Sequence, residues 1–309
     1  MNNRKRRDEY RTKGNGYYHF CTDGLTIGKL FYSPEQFAYG MILIGLLTIK
    51  FNVKIYAFVL MPNHIHIILS GTGENCIKAF DYLRFKISAR LKADGYDPLP
   101  EDYDFVLLDI KDQNQMKSEI VYVLRNPLEK DFSTPLGYLW GSGWIWHSTL
   151  TQYIKGEKAS TLSVRKAAKL TTTNDSLPPD WEFHPALGLL PGSFVDTAMV
   201  SRLFPTAKDY TSALVKDYES YVRTARELNE EIEFADIEIK DIVNQVLQDS
   251  FNGSSLWNLS QDEKCRLAVI LNDRFNLSAE QISHAIYLGI KLVRQVLSSK
   301  EYKATKTRK

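Results

Sequence analysis

The chain has 309 residues, of which 44% are hydrophobic and 25% charged, which is the composition of a globular protein with two or three domains. Its longest apolar run, residues 41–49, is too short for a helix that crosses a bilayer. The net charge of +2 is unevenly distributed, because residues 1–13 hold six basic and two acidic side chains and residues 300–309 hold five and one. Basic ends on a mildly acidic body fit an anionic partner such as nucleic acid, and they also fit flexible, solvated tails.

Three cysteines, Cys21, Cys76 and Cys265, lie far apart and lack the spacing of a zinc site. A sparse, odd set argues against a disulfide framework and for a reducing compartment. The basic start is not followed by the apolar segment of a secretion signal. We therefore expect a soluble, cytoplasmic protein with no membrane partner.

The first half of the chain alternates between strand-like and helix-like segments, after a polar, basic stretch at residues 1–16 that we expect to be disordered. Periodicity and turn residues predict strands at 17–22, 54–60, 64–70 and 105–110, and helices at 35–50, 75–93 and 112–126. The residues Met61-Pro62-Asn63 join the second strand to the third and predict a hairpin. This element order predicts an α+β fold with a mainly antiparallel sheet.

His64 and His66 form the most informative pair in the sequence. Period-2 alternation along the third predicted strand places both imidazoles on one face, about 7 Å apart at the backbone, with Ile65 on the other face. Histidine is the commonest metal ligand, and two imidazoles at this spacing can close on one ion. The alternative is a pair of half-buried strand histidines whose ring nitrogens are hydrogen-bonded.

Tyr122 and Asn126 lie four residues apart on the helix that Pro127 is predicted to end, so they share one face. The Asn126 amide oxygen would add a third ligand to the two imidazoles and leave positions open for substrate oxygens. Nitrogen and oxygen ligands without sulfur suit Mn²⁺ or Mg²⁺. Tyr122 would then be a nucleophile. The alternatives are a helix C-terminal cap for Asn126 and simple packing against the sheet for Tyr122.

The last sixty residues predict a separate helical module. Ser260 and Ser278 are predicted caps of helices that end at residues 275 and 286, and Glu263 completes a capping box with Ser260. A short turn that contains Gly289 leads to a third helix. That helix presents three polar side chains: Lys291, Arg294 and Gln295. Two helices joined in this way match a helix-turn-helix, whose second helix enters the major groove, although small tri-helical bundles that bind no DNA are common.

Three segments together resemble the single-tyrosine HUH transposases, and specifically the REP-associated tyrosine transposases. The segments are Tyr56-Ala57-Phe58-Val59-Leu60-Met61-Pro62-Asn63-His64-Ile65-His66, Tyr122-Val123-Leu124-Arg125-Asn126-Pro127 and Tyr138-Leu139-Trp140-Gly141-Ser142. Their order and spacing agree with the family, and the resemblance covers residues 17–150. The C-terminal helix-turn-helix resembles appendages of some family members.

The resemblance implies a chemistry for the residues already singled out. His64, His66 and Asn126 would hold a divalent metal, Mg²⁺ or Mn²⁺, and Tyr122 would be the catalytic tyrosine. The substrate would be single-stranded DNA near a palindromic hairpin. Cleavage would leave a 5′-phosphotyrosine and a free 3′-OH, which can attack another phosphotyrosine and so join strands. The sheet would be the RRM-like palm of HUH nucleases.

Contacts to DNA are expected from one basic segment and one aromatic run in the first half of the chain, and from the C-terminal module. The basic side chains Lys78, Lys86, Arg90 and Lys92 could follow a phosphate backbone, and a merely solvated face fits them nearly as well. The aromatic residues from Tyr138 to Trp146 could stack on bases. Duplex DNA could bind the C-terminal module, and the sequence leaves a monomer and a homodimer open.

The domain assignment that follows is residues 1–155 as the HUH tyrosine nuclease, 156–255 as a linker and helical connecting region, and 256–309 as the helix-turn-helix module with a basic tail. Acidic residues between 97 and 112 depart from the family pattern, and so does the low net charge. These departures leave a domesticated, non-cleaving DNA-binding regulator as the alternative function. A histidine-triad nucleotide hydrolase is disfavoured, because it needs a third histidine where the chain has Ile68.

Overall fold

A computed structural model of the chain describes residues 3–22, 24, 28–129, 134–216, 218–228 and 234–299. The chain divides into two compact units, Met1–Lys216 and Asp217–Lys309. No helix within the described ranges is long and apolar enough to cross a bilayer. The functions assigned to residues 1–155, 156–255 and 256–309 stay predictions.

The first unit is built on a four-stranded antiparallel sheet, so the predicted α+β class is confirmed. Its strands are β1 (Gly16–Thr22), β2 (Lys54–Leu60), β3 (Ile65–Gly71) and β4 (Phe105–Ile110). They are arranged in the order β2-β3-β1-β4, with β2 and β3 paired as the predicted hairpin. Four helices belong to the same layer structure: α1 (Asn3–Arg11), α2 (Pro34–Lys50), α3 (Gly73–Ala93) and α4 (Gln113–Glu129).

The two faces of this sheet carry different side chains and are covered by different helices. The pairing of β1 with β3 places His19 and His66 on one face and Phe20 on the other. The Phe20 ring lies 6.3 Å from the Phe80 ring of α3, so α3 covers the apolar face. On the opposite face α4 packs against β2 and β3, and its Tyr122 ring lies 5.8 Å from the His19 ring. The histidines are therefore enclosed between the sheet and α4.

Helix α1 replaces the disorder that we expected near the start of the chain. Arg6 and Arg7 each donate to the buried carboxylate of Asp104 at 3.0 Å. The Tyr10 ring is buried, and its hydroxyl accepts from the backbone N–H of Leu107 at 2.9 Å. Much of the basic charge in this segment is thus neutralised within the molecule, and Asp104 accounts for part of the acidic stretch between residues 97 and 112.

Helix α4 continues to Glu129, so the prediction that Pro127 ends it was wrong. Pro127 lies in the last turn of the helix. Because proline has no backbone N–H, Pro127 removes one hydrogen-bond donor from this turn. The turn lies near the end of the helix, where some carbonyls lack a helical partner in any case. The extension leaves Tyr122 and Asn126 inside the helix, where their common face is set by the helical repeat.

The rest of the first unit is made of short elements. It contains α5 (Leu150–Tyr153), α6 (Val164–Thr171), α7 (Thr197–Leu203), α8 (Ala207–Lys216) and a small sheet of β5 (Glu157–Lys158), β6 (Glu182–His184) and β7 (Gly188–Leu189). Gly188 lets β7 approach α2, because a Cβ at this position would lie 2.1 Å from the carbonyl oxygen of Ala38. Its φ of +72° also favours glycine.

The second unit is helical over the residues that are described. It contains α9 (Tyr218–Leu228), α10 (Asp236–Ser250), α11 (Gln261–Phe275), α12 (Ala279–Ile286) and α13 (Ile290–Ser298). The predicted caps Ser260 and Ser278 are confirmed, and each forms a capping box. Helices α11, α12 and α13 pack on one another. Their assignment as a helix-turn-helix stays a prediction, and the basic tail at residues 300–309 lies outside the described residues.

Candidate functional site

His64 and His66 lie next to each other at the start of β3. His64 is the last residue of the β2–β3 turn rather than the first of the strand, and its carbonyl accepts from the N–H of Met61 at 2.9 Å. His66 lies within β3 and is fully buried. The two ring centroids are 4.8 Å apart. The turn therefore brings the imidazoles together even though only one of them belongs to the strand.

Helix α4 contributes three polar side chains to the same place. Glu119, Tyr122 and Asn126 follow an i, i+3, i+7 pattern, which is one stripe of a helix, and all three are buried. The Tyr122 ring centroid lies 5.5 Å from that of His66. The Asn126 Oδ1 atom lies 2.9 Å from His64 Nε2. The structure thus brings together the two histidines, the tyrosine and the asparagine that the sequence singled out.

Two amide oxygens flank the His64 imidazole. Asn63 donates through Nδ2 to the carbonyl of Gly24 at 2.9 Å, so its Oδ1 faces His64 Nδ1, also at 2.9 Å. Asn126 donates through Nδ2 to the carbonyl of Tyr122 at 3.2 Å, so its Oδ1 faces His64 Nε2. A neutral imidazole has one N–H, which Asn63 can accept. On the other side of the ring, His64 Nε2 and Asn126 Oδ1 then face each other with a lone pair each, unless a cation lies between them.

The cluster could offer a divalent metal ion two imidazole nitrogens and one amide oxygen. Among the residues that the structure describes, no three His, Cys, Asp or Glu side chains form a group that could hold a metal. The oxygen is Asn126 Oδ1, which faces His64 Nε2 at 2.9 Å. Either a ring proton on Nε2 or a metal ion satisfies this contact. An amide oxygen suits Mg²⁺ or Mn²⁺, and imidazole nitrogen also suits Zn²⁺ and Fe²⁺.

The His66 imidazole is held neutral by its surroundings. Burial, and then the neighbouring His64 and His19 rings, lower the pKa of His66 well below its usual value. A neutral ring has a nitrogen lone pair available for a metal, whereas a protonated ring has none. The same burial encloses Tyr122, whose side chain is only 1% exposed. The Tyr122 side chain is therefore closed off from solvent in this conformation.

Two residues that the sequence did not single out, His19 and Glu119, complete the cluster. His19 Nδ1 lies 2.7 Å from Glu119 Oε2, and His19 Nε2 lies 3.0 Å from His66 Nδ1. A signal for Glu119 was present, because a carboxylate three residues before Tyr122 falls on the stripe that packs against the sheet. His19 is a single histidine in a strand, and its pairing with His66 depends on strand order.

The basic side chains expected to bind DNA lie mostly on the surface and have partners within the chain. Lys78 pairs with Glu74, Lys86 donates to the carbonyl of Thr172, Arg90 pairs with Asp94, and Lys92 is exposed. In the second unit Lys291 and Gln295 are exposed, and the exposed Arg294 pairs with Glu280. Their role in DNA binding stays a prediction.

The aromatic run after Tyr138 is largely part of the core. Trp144 and Trp146 are buried, and the Trp140 ring stacks on Phe37 at 5.1 Å. The expectation that this run offers stacking surfaces to bases is therefore wrong for Trp144 and Trp146. The glycines before Trp144 allow close packing instead, since a Cβ at Gly141 would lie 2.9 Å from the carbonyl oxygen of Phe58.

The chain has little similarity to known proteins. No protein-family model and no curated protein matches the chain. One solved structure, of the REP-associated tyrosine transposase bound to a REP hairpin, is similar over 40% of this chain and 73% of its own length. The identity is 17% and the TM-score is 0.32. A TM-score this low decides neither the fold nor the activity of this chain.

Proposed function

We propose that the protein is a metal-dependent single-stranded DNA endonuclease and strand transferase, a tyrosine HUH transposase that acts at hairpin-bearing, REP-like DNA. The observation that carries this proposal is the convergence of Tyr122 and Asn126 of α4 on His64 and His66. A phenol beside a site for a cation is the pair of groups that phosphodiester transfer to tyrosine needs.

The Tyr122 oxygen attacks the scissile phosphorus, and the bond between phosphorus and the 3′ oxygen breaks. The phenol proton is transferred overall to the leaving 3′ oxygen. The products are a 5′-phosphotyrosine on Tyr122 and a free 3′-OH, and no further reactant is required. Attack by another 3′-OH on the phosphotyrosine reverses the bonding and joins strands, so the energy of the phosphodiester is conserved.

His64, His66 and Asn126 would hold the Mg²⁺ or Mn²⁺ ion, which when bound polarises the phosphate and stabilises charge on it. The side chains of this chain have separate tasks. The edge-on rings of His19 and His66 orient the Tyr122 ring, at centroid distances of 5.8 and 5.5 Å. Burial of the whole cluster excludes water, which would otherwise compete with a 3′-OH for the phosphotyrosine.

We propose a separate role for each part of the chain. Residues 1–155 would carry the nuclease, with Lys78, Lys86, Arg90 and Lys92 of α3 beside the DNA backbone. Residues 256–309 would bind duplex DNA, with Lys291, Arg294 and Gln295 of α13 in the major groove. Residues 156–255 would connect the two.

The test is a denaturing gel of the purified protein with labelled hairpin-bearing single-stranded DNA and Mn²⁺. We expect a protein-linked band for the wild type and none for Tyr122→Phe. The matched control is Tyr18→Phe, which removes a buried hydroxyl that donates to the carbonyl of Gly14 at 2.7 Å on the other face of the sheet. This control should keep the band. An adduct in Tyr122→Phe, or none in the wild type across a panel of hairpins, contradicts the proposal.

The second candidate is a non-cleaving DNA-binding regulator, which the burial of Tyr122 favours because the enclosed site offers no path to a phosphate. Such a protein would bind duplex DNA through α13. The full-length double variant Lys291→Glu/Arg294→Glu should then lose duplex binding, with no cleavage of any strand by the wild type. Duplex binding that survives both charge reversals would remove this candidate.

A further inference from the structure

Three buried side chains form a hydrogen-bonded chain from α4 to β3. Glu119 Oε2 contacts His19 Nδ1 at 2.7 Å, and His19 Nε2 contacts His66 Nδ1 at 3.0 Å. All three side chains are almost completely inaccessible to solvent. A carboxylate and two imidazoles are retained in a protein interior only where they satisfy one another's hydrogen bonds.

The carboxylate sets the direction of the hydrogen bonds along this chain. A carboxylate oxygen only accepts, so the proton between Glu119 and His19 belongs to His19 Nδ1. With one proton on its ring, His19 accepts through Nε2 from His66 Nδ1. The His66 proton is then on Nδ1, and Nε2, which faces Cys21 Sγ at 3.9 Å, is the nitrogen that could bind a metal.

We propose that Glu119 and His19 are positioning residues that hold His66 in the tautomer protonated at Nδ1, with Nε2 presented as a metal ligand. The inference rests on the proposed function, because it takes His66 to be a ligand. Carboxylate–histidine relays of this kind orient metal-binding imidazoles and raise their basicity. Here the relay has one extra imidazole, because the chain runs from Glu119 through His19 to His66.

His64 has an amide oxygen on each side of its ring. Its Nδ1 faces Asn63 Oδ1 and its Nε2 faces Asn126 Oδ1, both at 2.9 Å, and an amide oxygen can only accept. The single proton of a neutral ring therefore lies toward one of the two. When it lies toward Asn63, His64 presents Nε2, and both histidines of the pair offer the same nitrogen.

The alternative placement of the protons along this chain predicts the other tautomer of His66. If His19 carried two protons, its Nε2 would donate to His66 Nδ1 and the His66 proton would move to Nε2. The neighbour of that nitrogen is Cys21 Sγ at 3.9 Å, which is a weak acceptor. A proton on Nε2 would prevent His66 from binding a metal, so the tautomer of His66 separates the two arrangements.

The first experiment measures Mn²⁺ affinity of the full-length protein by titration, followed by electron paramagnetic resonance of the free ion. We expect Glu119→Leu and His19→Leu to weaken binding about 10- to 100-fold. Glu119→Gln and His19→Gln keep an acceptor oxygen and should lose less affinity than the Leu variants. The matched control is Asp104→Asn, a buried, ion-paired carboxylate outside the cluster, which should bind Mn²⁺ as the wild type does.

The second experiment needs no variant and so does not depend on whether the substitutions fold. Nitrogen NMR of ¹⁵N-histidine-labelled wild type with Mg²⁺ reports which ring nitrogen of His66 holds the proton. A proton on Nδ1 supports the relay, and a proton on Nε2 overturns it. Unchanged Mn²⁺ affinity in folded Leu variants also overturns it while leaving the proposed function intact. A wild type that binds no Mn²⁺ overturns the proposed function, and the relay with it.

Discussion

Asn126 Oδ1 and His64 Nε2 face each other across 2.9 Å. Asn126 keeps this orientation because its Nδ2 donates to the Tyr122 carbonyl. With the ring proton on Nδ1, toward Asn63 Oδ1, the oxygen and the nitrogen both present lone pairs, which a metal ion would bind. This pair is therefore the most sensitive place to test for a metal.

Substitutions at Asn126 should change the thermal stabilisation that Mn²⁺ gives. A ligand that binds only the folded state raises the melting temperature by an amount that grows with the logarithm of its affinity. Asn126→Asp adds a negative charge beside the cation and should enlarge the Mn²⁺-dependent rise, and Asn126→Leu should abolish it. The measurement is differential scanning fluorimetry with and without Mn²⁺.

The matched control for Asn126→Leu is Asn114→Leu, on the exposed first turn of the same helix. It should keep the wild-type response to Mn²⁺. A full response in Asn126→Leu would show that Asn126 is not a ligand.

Asp104 should be important for attachment of α1. Its buried carboxylate accepts from both Arg6 and Arg7, so Asp104→Ala leaves two half-buried guanidinium groups without this partner. We expect a loss of about 1–3 kcal/mol in the free energy of unfolding, measured by urea denaturation. Arg11→Ala removes two exposed ion pairs, with Asp8 and Glu74, and should change stability by less than about 1 kcal/mol. Equal effects of the two substitutions would contradict this account.

Much of the first sheet could be predicted from the sequence, because its strands and helices carry strong local signals. Strands β2 and β4 have the predicted bounds, and the caps Ser260 and Ser278 lie where the polar residues before apolar runs indicated. Helix α1 could not be predicted, since what stabilises it is an ion pair with Asp104, nearly a hundred residues away. Charge composition alone cannot distinguish a solvated tail from a helix whose cations have distant partners.

The sequence predicted the candidate ligands and the tyrosine of the site, but not the residues that hydrogen-bond to them. His64, His66, Tyr122 and Asn126 occur in short motifs, whereas Glu119 and His19 are joined only by the three-dimensional arrangement of α4 over β1. Burial of Trp144 and Trp146 was missed for a related reason. A run of aromatic residues has the same sequence pattern whether it stacks on bases or packs in a core. Only the residues that pack against it distinguish the two cases.

Cys76 should give the stability of the first unit a dependence on alkaline pH. Burial raises the pKa of its thiol from 9.0 to about 12. Between these values the unfolded chain has lost a proton that the folded chain retains. The unfolded state is therefore favoured as pH rises, by up to about 1.4 kcal/mol per pH unit.

The measurement is urea unfolding of the wild type and of Cys76→Ala between pH 9 and 12 under reducing conditions. The variant should be less stable than the wild type at pH 9, and the difference should shrink as pH rises because the variant lacks the Cys76 thiol. Its own slope should be shallower but not zero, because its tyrosines still titrate. Parallel slopes would mean that the Cys76 thiol ionises alike in both states.

Tyr287 should be under backbone strain that a stacked ring compensates. It ends α12 in the left-handed conformation, with φ 53° and ψ 47°, where a side chain is disfavoured. Its ring is 64% exposed and stacks on the exposed Trp257 ring at 4.9 Å. Tyr287→Ala loses the ring contact and keeps the strain, so it should be less stable than the wild type by about 0.5–1.5 kcal/mol.

Tyr287→Gly loses the same ring but removes the strain, so it should be more stable than Tyr287→Ala by about 1 kcal/mol. Chemical denaturation monitored by circular dichroism measures both variants. Trp257→Ala is the control for the ring contact, and adding Tyr287→Ala to it should have less effect than Tyr287→Ala alone. If the Gly and Ala variants unfold together, the left-handed conformation stores no strain at this turn, and the stacked pair needs another explanation.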